Sequence, residues 1–431
     1  MTLQVRKDGD FDKFEARVLA CSHQADLSLI TVDKDAFWEG AIELPLGETP
    51  RLQQHVDVVG YPMGGDGISV TSGVVSRVDW GMYTHGATSN LIVTVDAAIN
   101  GGNSGGPAIC DGRVVGVAFQ GLSTADNIGY IIPATVLRTV LEDYRQNGER
   151  LIGFADLCCT VSMLENPAKR AWLGMPEGLS GVHVRSVHNL SALKGQLREG
   201  DVITEVDGHK ISNDGRVRYG AGSPMDFRVF ITLKLVGAPL RLALFRAGAR
   251  VDVATTAEGE LELVPSTWFK DTQYVFFAGL VFLPMAAGVK ETYYHTQVLY
   301  EADGRKHVHP AQQVVGLGTI LPHSCTLGYS MRQFSVEPLL KVNGEAVMCL
   351  GDVLRLTEAA EGAFIVFEFN KANKLVLSLP EAREATKALM KDHGIAQAAS
   401  ADVAAAAALG PLAPSPAAAA GAAVGGAGST A

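Results

Sequence analysis

Short runs of apolar residues, each bounded by glycine or polar residues, recur along the first 147 positions. They include VDVVGYP, ISVTSGVVSRVD and NLIVTVDAAI, with no helical segment between them. Short strands separated by glycine-rich turns are typical of all-β barrels and sandwiches. The pattern changes at PATVLRTVLEDYRQ, where apolar residues recur at helical spacing until Asn147 and Gly148. A helix is therefore predicted to close this β-rich section.

Two further sections, at 150–264 and 268–378, alternate strand-like runs with turn signals. In each section an apolar run ends in a Val-Asx-Gly turn, at 206–208 and 342–344, which is a weak internal repeat. Residues 381–396 are charged and follow Pro380, a pattern that predicts a terminal helix. Residues 397–431 are rich in Ala, Gly, Pro and Ser, so we expect a disordered tail.

The composition narrows the class of protein. A chain of 431 residues is too long for a single domain with one hydrophobic core, and about three domains are expected. The net charge of −10 and the pI of 5.6 provide no basic surface for nucleic acid. The folded part has no long uncharged apolar run, so no membrane span is expected. The six cysteines form no C-x-x-C motif, which favours reduced thiols over disulfides.

The stretch AAINGGNSGGPAI, residues 97–109, places four glycines around Ser104. When a serine hydrolase attacks its substrate, an oxyanion forms that backbone N–H groups can stabilise. Gly102 and Ser104 are two residues apart, a spacing at which both N–H groups can point at one oxygen. Side chains would obstruct such a tight loop, so the glycines indicate an oxyanion cradle. We predict Ser104 as a nucleophile.

G-N-S-G-G-P resembles the nucleophile loop of chymotrypsin-fold serine proteases, and its asparagine form resembles the Deg/HtrA family. ADLSLI, VVGYPMGG and SVTSGVVSRVD upstream, with NIGYIIPATVL downstream, strengthen the resemblance to plant-type members with two PDZ domains. It implies a mainly β chain: a chymotrypsin-like double β-barrel protease domain, its first barrel truncated, then two PDZ-like α+β domains. We place the protease domain at 1–148, PDZ domain 1 at 149–265 and PDZ-like domain 2 at 266–380.

The resemblance also implies roles for individual residues. Ser104 corresponds to the nucleophile, and Gly102 and Ser104 correspond to the oxyanion donors. Asp26, which opens the apolar run DLSLI, corresponds to the carboxylate that orients the triad histidine.

The histidine itself is not found. In this family it lies about thirty residues before the aspartate, whereas no histidine precedes His23 in this chain. His23 is too near Asp26 to be the base, and His55 and His85 are interpreted as surface or packing residues. Two explanations stay open: a true start upstream, which we favour, or a family member that has lost its base. As written, the chain is expected to have little or no triad-dependent peptidase activity.

The residues expected to line the substrate pocket are uncharged. Trypsin-like specificity uses an acidic residue six positions before the serine, and that position is Ala98. The other candidates for the pocket walls are Asn100, Phe119 and Gln120. We predict cleavage after modest apolar side chains.

LREGDVITEVDG, residues 197–208, resembles a PDZ signature. PDZ domains add an extended C-terminal peptide to a sheet edge and hold its carboxylate with backbone N–H groups. The candidate loop for PDZ domain 1 is LIGFADLCC, especially Gly153, Phe154 and Leu157. PDZ-like domain 2 has LLKVNG but no clear binding loop, so assembly or docking is its expected role.

The leading hypothesis is an ATP-independent serine endopeptidase acting on unfolded or damaged proteins, homo-oligomeric by resemblance. The alternative is an inactive PDZ scaffold or chaperone-like binder. No cofactor or nucleotide is implied, because the glycine-rich stretches lack a phosphate-loop context. His307 and His309 alternate along the chain but lack a third ligand, so no metal site is predicted. The compartment stays undetermined, with plastid and nucleus both open.

Overall fold

The computed structural model describes residues 2–62, 67–86, 88–121, 128–220, 224–261, 263–264, 271–285, 307–334, 337–370 and 373–413. These residues form two compact units. Unit 1 comprises Met1–Arg185 and Gln196–Glu260, and unit 2 comprises Ser186–Gly195 and Leu261–Ala431. The sequence predicts a domain boundary after residue 148, but the compact units do not divide there.

Unit 1 begins with a three-stranded antiparallel sheet in which the second strand pairs with both neighbours. Its elements are β1 (Leu3–Val5), β2 (Phe14–Ser22), β3 (Leu27–Thr31) and helix α1 (Asp35–Trp38). The turn between β2 and β3 carries Asp26. A 3.4 Å bond from Asp26 N–H to His23 carbonyl closes this turn, and Asp26 has a φ of 52°.

Six strands then close a barrel in the order β4-β5-β6-β9-β8-β7. The strands are β4 (His55–Gly60), β5 (Ser69–Tyr83), β6 (Thr88–Val95), β7 (Pro107–Cys110), β8 (Arg113–Gly121) and β9 (Gly129–Pro133). Alternate residues of β4, including Val56 and Val58, are fully buried, as expected when one strand face lines a core. Helix α2 (Ala134–Gln146) follows β9, buries Val136 and Val140, and ends before Gly148 at φ 64°.

The remainder of unit 1 is a mixed region with a central sheet in the order β11-β12-β13-β17-β18, with β14 paired to β13. Two short pairs, β10 with β19 and β15 with β16, accompany it. The bounds are β10 (Ala155–Asp156), β11 (Cys159–Ser162), α3 (Pro167–Trp172), β12 (Val182–Val187), β13 (Val202–Val206), β14 (His209–Lys210), β15 (Arg216–Val217), β16 (Met225–Asp226), α4 (Val229–Thr232), β17 (Pro239–Arg246), β18 (Ala249–Thr256) and β19 (Glu258–Gly259).

Unit 2 has two antiparallel sheets, β20-β21-β22 and β24-β23-β25-β26, around one apolar core that contains Phe282, Phe367 and Leu350. The bounds are β20 (Val275–Phe277), β21 (Leu280–Pro284), β22 (Val315–Ile320), a 3-10 turn (Ser324–Thr326), α5 (Met331–Phe334), β23 (Leu339–Val342), β24 (Glu345–Ala346), α6 (Leu350–Glu358), β25 (Phe364–Phe369), β26 (Lys374–Ser378), α7 (Leu379–Asp392) and α8 (Ala401–Ala408).

Helix α8 lies in the segment predicted to be a disordered tail, so that expectation is wrong for residues 401–408. Val403 is 3% exposed and belongs to the core of unit 2, and Ala399 pairs with Val275. Helices α6 and α8 approach closely. A Cβ placed on Gly351 of α6 would lie only 3.1 Å from the backbone nitrogen of Ala407 in α8. The small side chains of the alanines in α8 permit this contact. The alanine-rich composition of the same segment is also typical of a disordered tail, so the sequence does not indicate the contact. Residues 414–431 lie outside the described part.

The two Val-Asx-Gly turns have the same local structure. Asp207 and Asn343 adopt φ values of 47° and 50°, and the glycine after each lies at 82° and 84°. Each Asx N–H donates to a carbonyl of the neighbouring strand, and each side chain accepts the N–H of that same residue, Arg241 or Val366. The weak repeat therefore marks two hairpins with matching turn chemistry.

Candidate active site

The loop between β6 and β7 holds Ser104 on the barrel surface. Ser104 is exposed, and its hydroxyl donates a 3.2 Å hydrogen bond to the carbonyl of Phe119 in β8. Gly105 N–H donates to Ala118 carbonyl at 2.7 Å, and Ala118 N–H returns a bond to Gly106 carbonyl at 2.9 Å. These two bonds fix the loop against β8 directly beside the hydroxyl.

The predicted oxyanion donors are available. In the part of the chain that the structure describes, the N–H groups of Gly102 and Ser104 have no hydrogen-bond acceptor. Gly102 has a φ of 102°, a conformation that favours glycine. The N–H of the intervening Asn103 instead donates to Asn100 carbonyl at 3.0 Å. Two free N–H groups, one on either side of an engaged one, can donate hydrogen bonds to an oxygen that develops negative charge.

The glycines after the serine have different functions. Gly105 has a φ of 88°, and a Cβ there would meet open space. Gly106 lies against β4, where a Cβ would collide with the carbonyl oxygen of Val59. The requirement for glycine is therefore conformational at Gly105 and steric at Gly106.

Asp26 lies in a cluster with two histidines. His23 Nδ1 and His85 Nε2 are 2.8 Å apart, although the residues are 62 positions apart in the chain. Burial raises the pKa of Asp26, and the charges of His85 and then His23 lower it. Burial lowers the pKa of His23, and His85 lowers it further, whereas Asp26 raises it.

Tyr83 packs against Phe119, the residue whose carbonyl accepts the Ser104 hydroxyl. Tyr83, two residues before His85, is fully buried, and its ring centroid lies 4.9 Å from that of Phe119. Burial raises the pKa of Tyr83, and the charge of Asp26 raises it further. Phe119 accepts the hydrogen bond of Ser104 through its backbone carbonyl, while its ring packs against Tyr83. The sequence interpretation of His23 and His85 missed their meeting with Asp26, because no spacing signal connects the two turns.

The predicted pocket residues are uncharged and lie in two places: Ala98 and Asn100 in the serine loop, and Phe119 and Gln120 in β8. Ala98 is half-buried, and its carbonyl accepts the Thr71 hydroxyl at 2.9 Å. Asn100 is exposed, whereas Phe119 and Gln120 are half-buried. Residues 122–127, which follow β8, lie outside the described residues.

The predicted PDZ loop is already engaged. The N–H groups of Ile152 and Gly153 donate to Asp143 Oδ2 at 2.9 and 3.0 Å. Phe154 N–H donates to Gln24 Oε1 at 3.0 Å. Phe154 and Leu157 are buried, at 5% and 3% exposure. These three candidates therefore contribute to packing.

The predicted loop LIGFADLCC also contains the turn immediately before the edge strand β11. Cys158 has a φ of 50°, and its N–H donates to Asp156 Oδ1 at 2.6 Å. Burial raises the pKa of the Cys158 thiol, and the charge of Asp156 adds to this. The only sequence signal for this turn is its position directly before an apolar strand.

His307 and His309 have different surroundings. The His307 ring is 4% exposed and packs edge-on against His188, with 5.2 Å between centroids. His309 Nδ1 accepts the N–H of Ala311. Within the described ranges, no group of three or more His, Cys, Asp or Glu residues is arranged to hold a metal.

None of the helices in those same ranges is long and apolar enough to span a bilayer.

Two family models match parts of this chain, and several known proteins are similar to it. A family model for a trypsin-like peptidase domain matches residues 4–117, and a PDZ domain model matches residues 264–402. "Protease Do-like 2, chloroplastic" of Arabidopsis thaliana is 36% identical over 411 residues, which span 93% of this chain and 67% of that protein. "Protease Do-like 4, mitochondrial" of the same organism is 34% identical over 397 residues, spanning 92% and 74%. The solved "HtrA-type protease AlgW with decapeptide" shares 24% identity and a TM-score of 0.44, covering 58% of this chain and 73% of that one.

Proposed function

Since the chain belongs to the family of Do-like (Deg/HtrA) serine proteases, we propose that it is an ATP-independent endopeptidase that degrades unfolded or damaged proteins. The observation that carries the proposal is the serine loop. Ser104 is exposed, and the N–H groups of Gly102 and Ser104 lack acceptors in the described structure. That arrangement suits acyl transfer.

In the proposed mechanism Ser104 Oγ attacks the scissile carbonyl carbon, and the carbonyl oxygen accepts the N–H groups of Gly102 and Ser104. The hydroxyl proton passes to an imidazole that Asp26 orients, and then to the leaving amine. Water hydrolyses the resulting acyl-enzyme. Among the described histidines, His23 and His85 are those whose charges act on Asp26. The uncharged residues Ala98, Asn100, Phe119 and Gln120 support cleavage after modest apolar side chains.

A second candidate is a noncatalytic PDZ scaffold or chaperone-like binder. It is favoured by the hydrogen bond of Ser104, which goes to a backbone carbonyl and not to an imidazole. A hydroxyl bonded in this way has no base to take its proton.

Labelling with a fluorophosphonate probe separates the two candidates. The full chain is compared with Ser104→Ala, which removes the nucleophile, and with His85→Gln and His23→Gln. Labelling that requires Ser104 supports the peptidase, and its loss in one histidine variant identifies the base. No labelling of the wild-type chain leaves the binder. A peptide-library digest then measures preference, and strong cleavage after Lys or Arg would contradict the proposed pocket.

For PDZ domain 1 we propose capture of C-terminal peptide segments along β11. The support is the place of β11 at the edge of its sheet, where a further strand can add. Anisotropy of labelled peptides with the full chain tests this directly.

Location and assembly are proposed from the relatives. Their printed names place them in chloroplasts or mitochondria, which favours the plastid among the compartments considered for this chain. A homo-oligomer, trimeric or larger, is proposed from the family resemblance. A fluorescent fusion and analytical ultracentrifugation test the two statements separately.

A further inference from the structure

The two ends of the edge strand β11 carry opposite charge. The loop before the strand contains Asp156, whose carboxylate accepts the N–H of Cys158. Arg228 faces this end, but it already forms a 2.6 Å ion pair with Asp226. The hydrogen bond to Asp226 is the main cause of its raised pKa, and Asp156 adds to the shift. With two carboxylates and one guanidinium, the loop end is acidic.

The far end of β11 is basic. Lys169 of α3 donates from Nζ to Ser162 Oγ at 2.8 Å, and the same oxygen lies 3.3 Å from His183 Nδ1 in β12. Burial lowers the pKa of His183, and the charge of Lys169 lowers it further. The charge of Glu199 raises this pKa, and the charge of Arg185 lowers it. Among the described residues, Lys169 forms no ion pair with a carboxylate.

The lysine ammonium therefore has donors to spare. It carries three N–H bonds, and Ser162 accepts one of them. The side chain is half-buried, which weakens its hydration and strengthens the attraction of a nearby anion. A carboxylate placed beside Ser162 would accept a charge-assisted bond from Lys169.

We propose that PDZ domain 1 selects extended peptides that place Asp or Glu opposite Ser162, held by Lys169 with Ser162 and His183. The inference rests on the proposed peptide binding at β11. Residues directly opposite each other in an antiparallel pair project to the same face of the sheet. An acidic residue opposite Ser162 would lie three positions before the residue opposite Cys159, the first residue of β11.

The test uses fluorescein-labelled octapeptides with an apolar C-terminus and the full-length chain. In one peptide series, Glu, Gln or Lys is placed three residues before the C-terminal residue. In two control series, the same residues are placed one position before and one position after that site. Glu at the selected position is expected to bind about three- to five-fold tighter than Gln in low salt, which is the scale of a partly exposed ion pair. At the adjacent positions the gain should vanish, because neighbouring side chains project to the opposite face.

Protein variants identify the cation. Lys169→Gln should abolish the preference for Glu, whereas Lys210→Gln, which removes an exposed lysine from β14 of the same sheet, should preserve it. Circular dichroism confirms that both variants fold. Equal affinity for Glu, Gln and Lys peptides, or a Glu preference that survives in Lys169→Gln, overturns the inference while peptide binding stands. Failure of every peptide to bind would instead overturn the proposed binding at β11, and the inference with it.

Discussion

At the scale of single residues, two adjacent positions in the serine loop require glycine for different physical reasons. Gly105 needs a positive φ, whereas Gly106 needs room beside Val59. Sequence inspection treats both as parts of one glycine-rich motif. Their energetic consequences on substitution should differ, because backbone strain and steric collision are separate costs.

Gly106→Ala is expected to destabilise unit 1 by about 3 kcal/mol, because its Cβ would meet a backbone carbonyl that cannot move aside cheaply. Gly105→Ala should cost about 1–2 kcal/mol, since only the left-handed conformation opposes it. Urea denaturation monitored by circular dichroism measures both. Equal effects from the two variants would contradict this division.

The cluster around Asp26 predicts a dependence of stability on pH. Burial and His85 lower the folded-state pKa of His23, so the folded chain favours neutral His23. The unfolded chain binds a proton near pH 6.5 and the folded chain binds it only at lower pH. The stability associated with neutral His23 is therefore present above pH 6.5 and is lost as the pH falls through the folded-state pKa.

Urea titrations at pH 7.5 and pH 5.5 test this sign. The wild-type chain should lose more stability between the two pH values than His23→Gln, which cannot titrate. Lys13→Gln, an exposed substitution that removes no histidine, is the control. A larger loss in His23→Gln than in the wild type would show that the sign is wrong.

At the scale of elements, the turn before β11 determines how the strand can receive a peptide. Its Cys158 N–H is the type of group that holds a terminal carboxylate in a PDZ domain. Here Asp156 already accepts that N–H. A peptide carboxylate must therefore approach a like charge, which is unfavourable.

Asp156→Asn is expected to tighten binding of peptides with a free C-terminal carboxylate by about five-fold, by removing the repulsion while keeping a side-chain acceptor for Cys158. Peptides with an amidated C-terminus should bind both proteins equally. Asp214→Asn, at an exposed acid of the same region, is the matched control. Calorimetric titration provides the comparison, and an equal gain for amidated peptides would contradict the charge argument.

At the scale of the whole molecule, the predicted boundary after residue 148 lies inside unit 1. Asp143 of α2 is 4% exposed and accepts the N–H groups of Ile152 and Gly153 as well as the Asn147 amide. Gln24, from the turn that carries Asp26, accepts Phe154 N–H and donates to Glu260. These bonds join the predicted protease section to the segment that leads into the predicted PDZ domain 1.

Asp143→Ala should therefore destabilise unit 1 by about 2 kcal/mol, because it leaves three part-buried donors without their acceptor. Glu142→Ala, one position earlier on the more exposed part of the helix, should change stability by less than about 0.5 kcal/mol. Thermal denaturation measures both, and hydrogen exchange of residues 152–154 should increase only in the Asp143 variant. Unchanged exchange there would exclude the proposed anchoring.

The family, the mainly β fold and the helix after β9 could be predicted from the sequence, and all three are confirmed. Each depends on short contiguous patterns: the glycines around Ser104, the alternation of β4, and the helical spacing of Val136 and Val140. The oxyanion assignment also depends on a short contiguous pattern, because the backbone conformation of about six residues determines which N–H groups are free. It stays a prediction.

The remaining features depend on residues that are distant in the chain. His85 meets His23 only when the β5–β6 turn packs beside the β2–β3 turn, and Lys169 reaches Ser162 only when α3 lies over β11. The alanine-rich composition predicts disorder for α8 because it does not reveal a packing partner, whereas the folded chain provides α6 as that partner. Local chemistry is encoded by neighbouring residues and was visible in the sequence. Which charges and rings face one another depended on the packing of the folded chain.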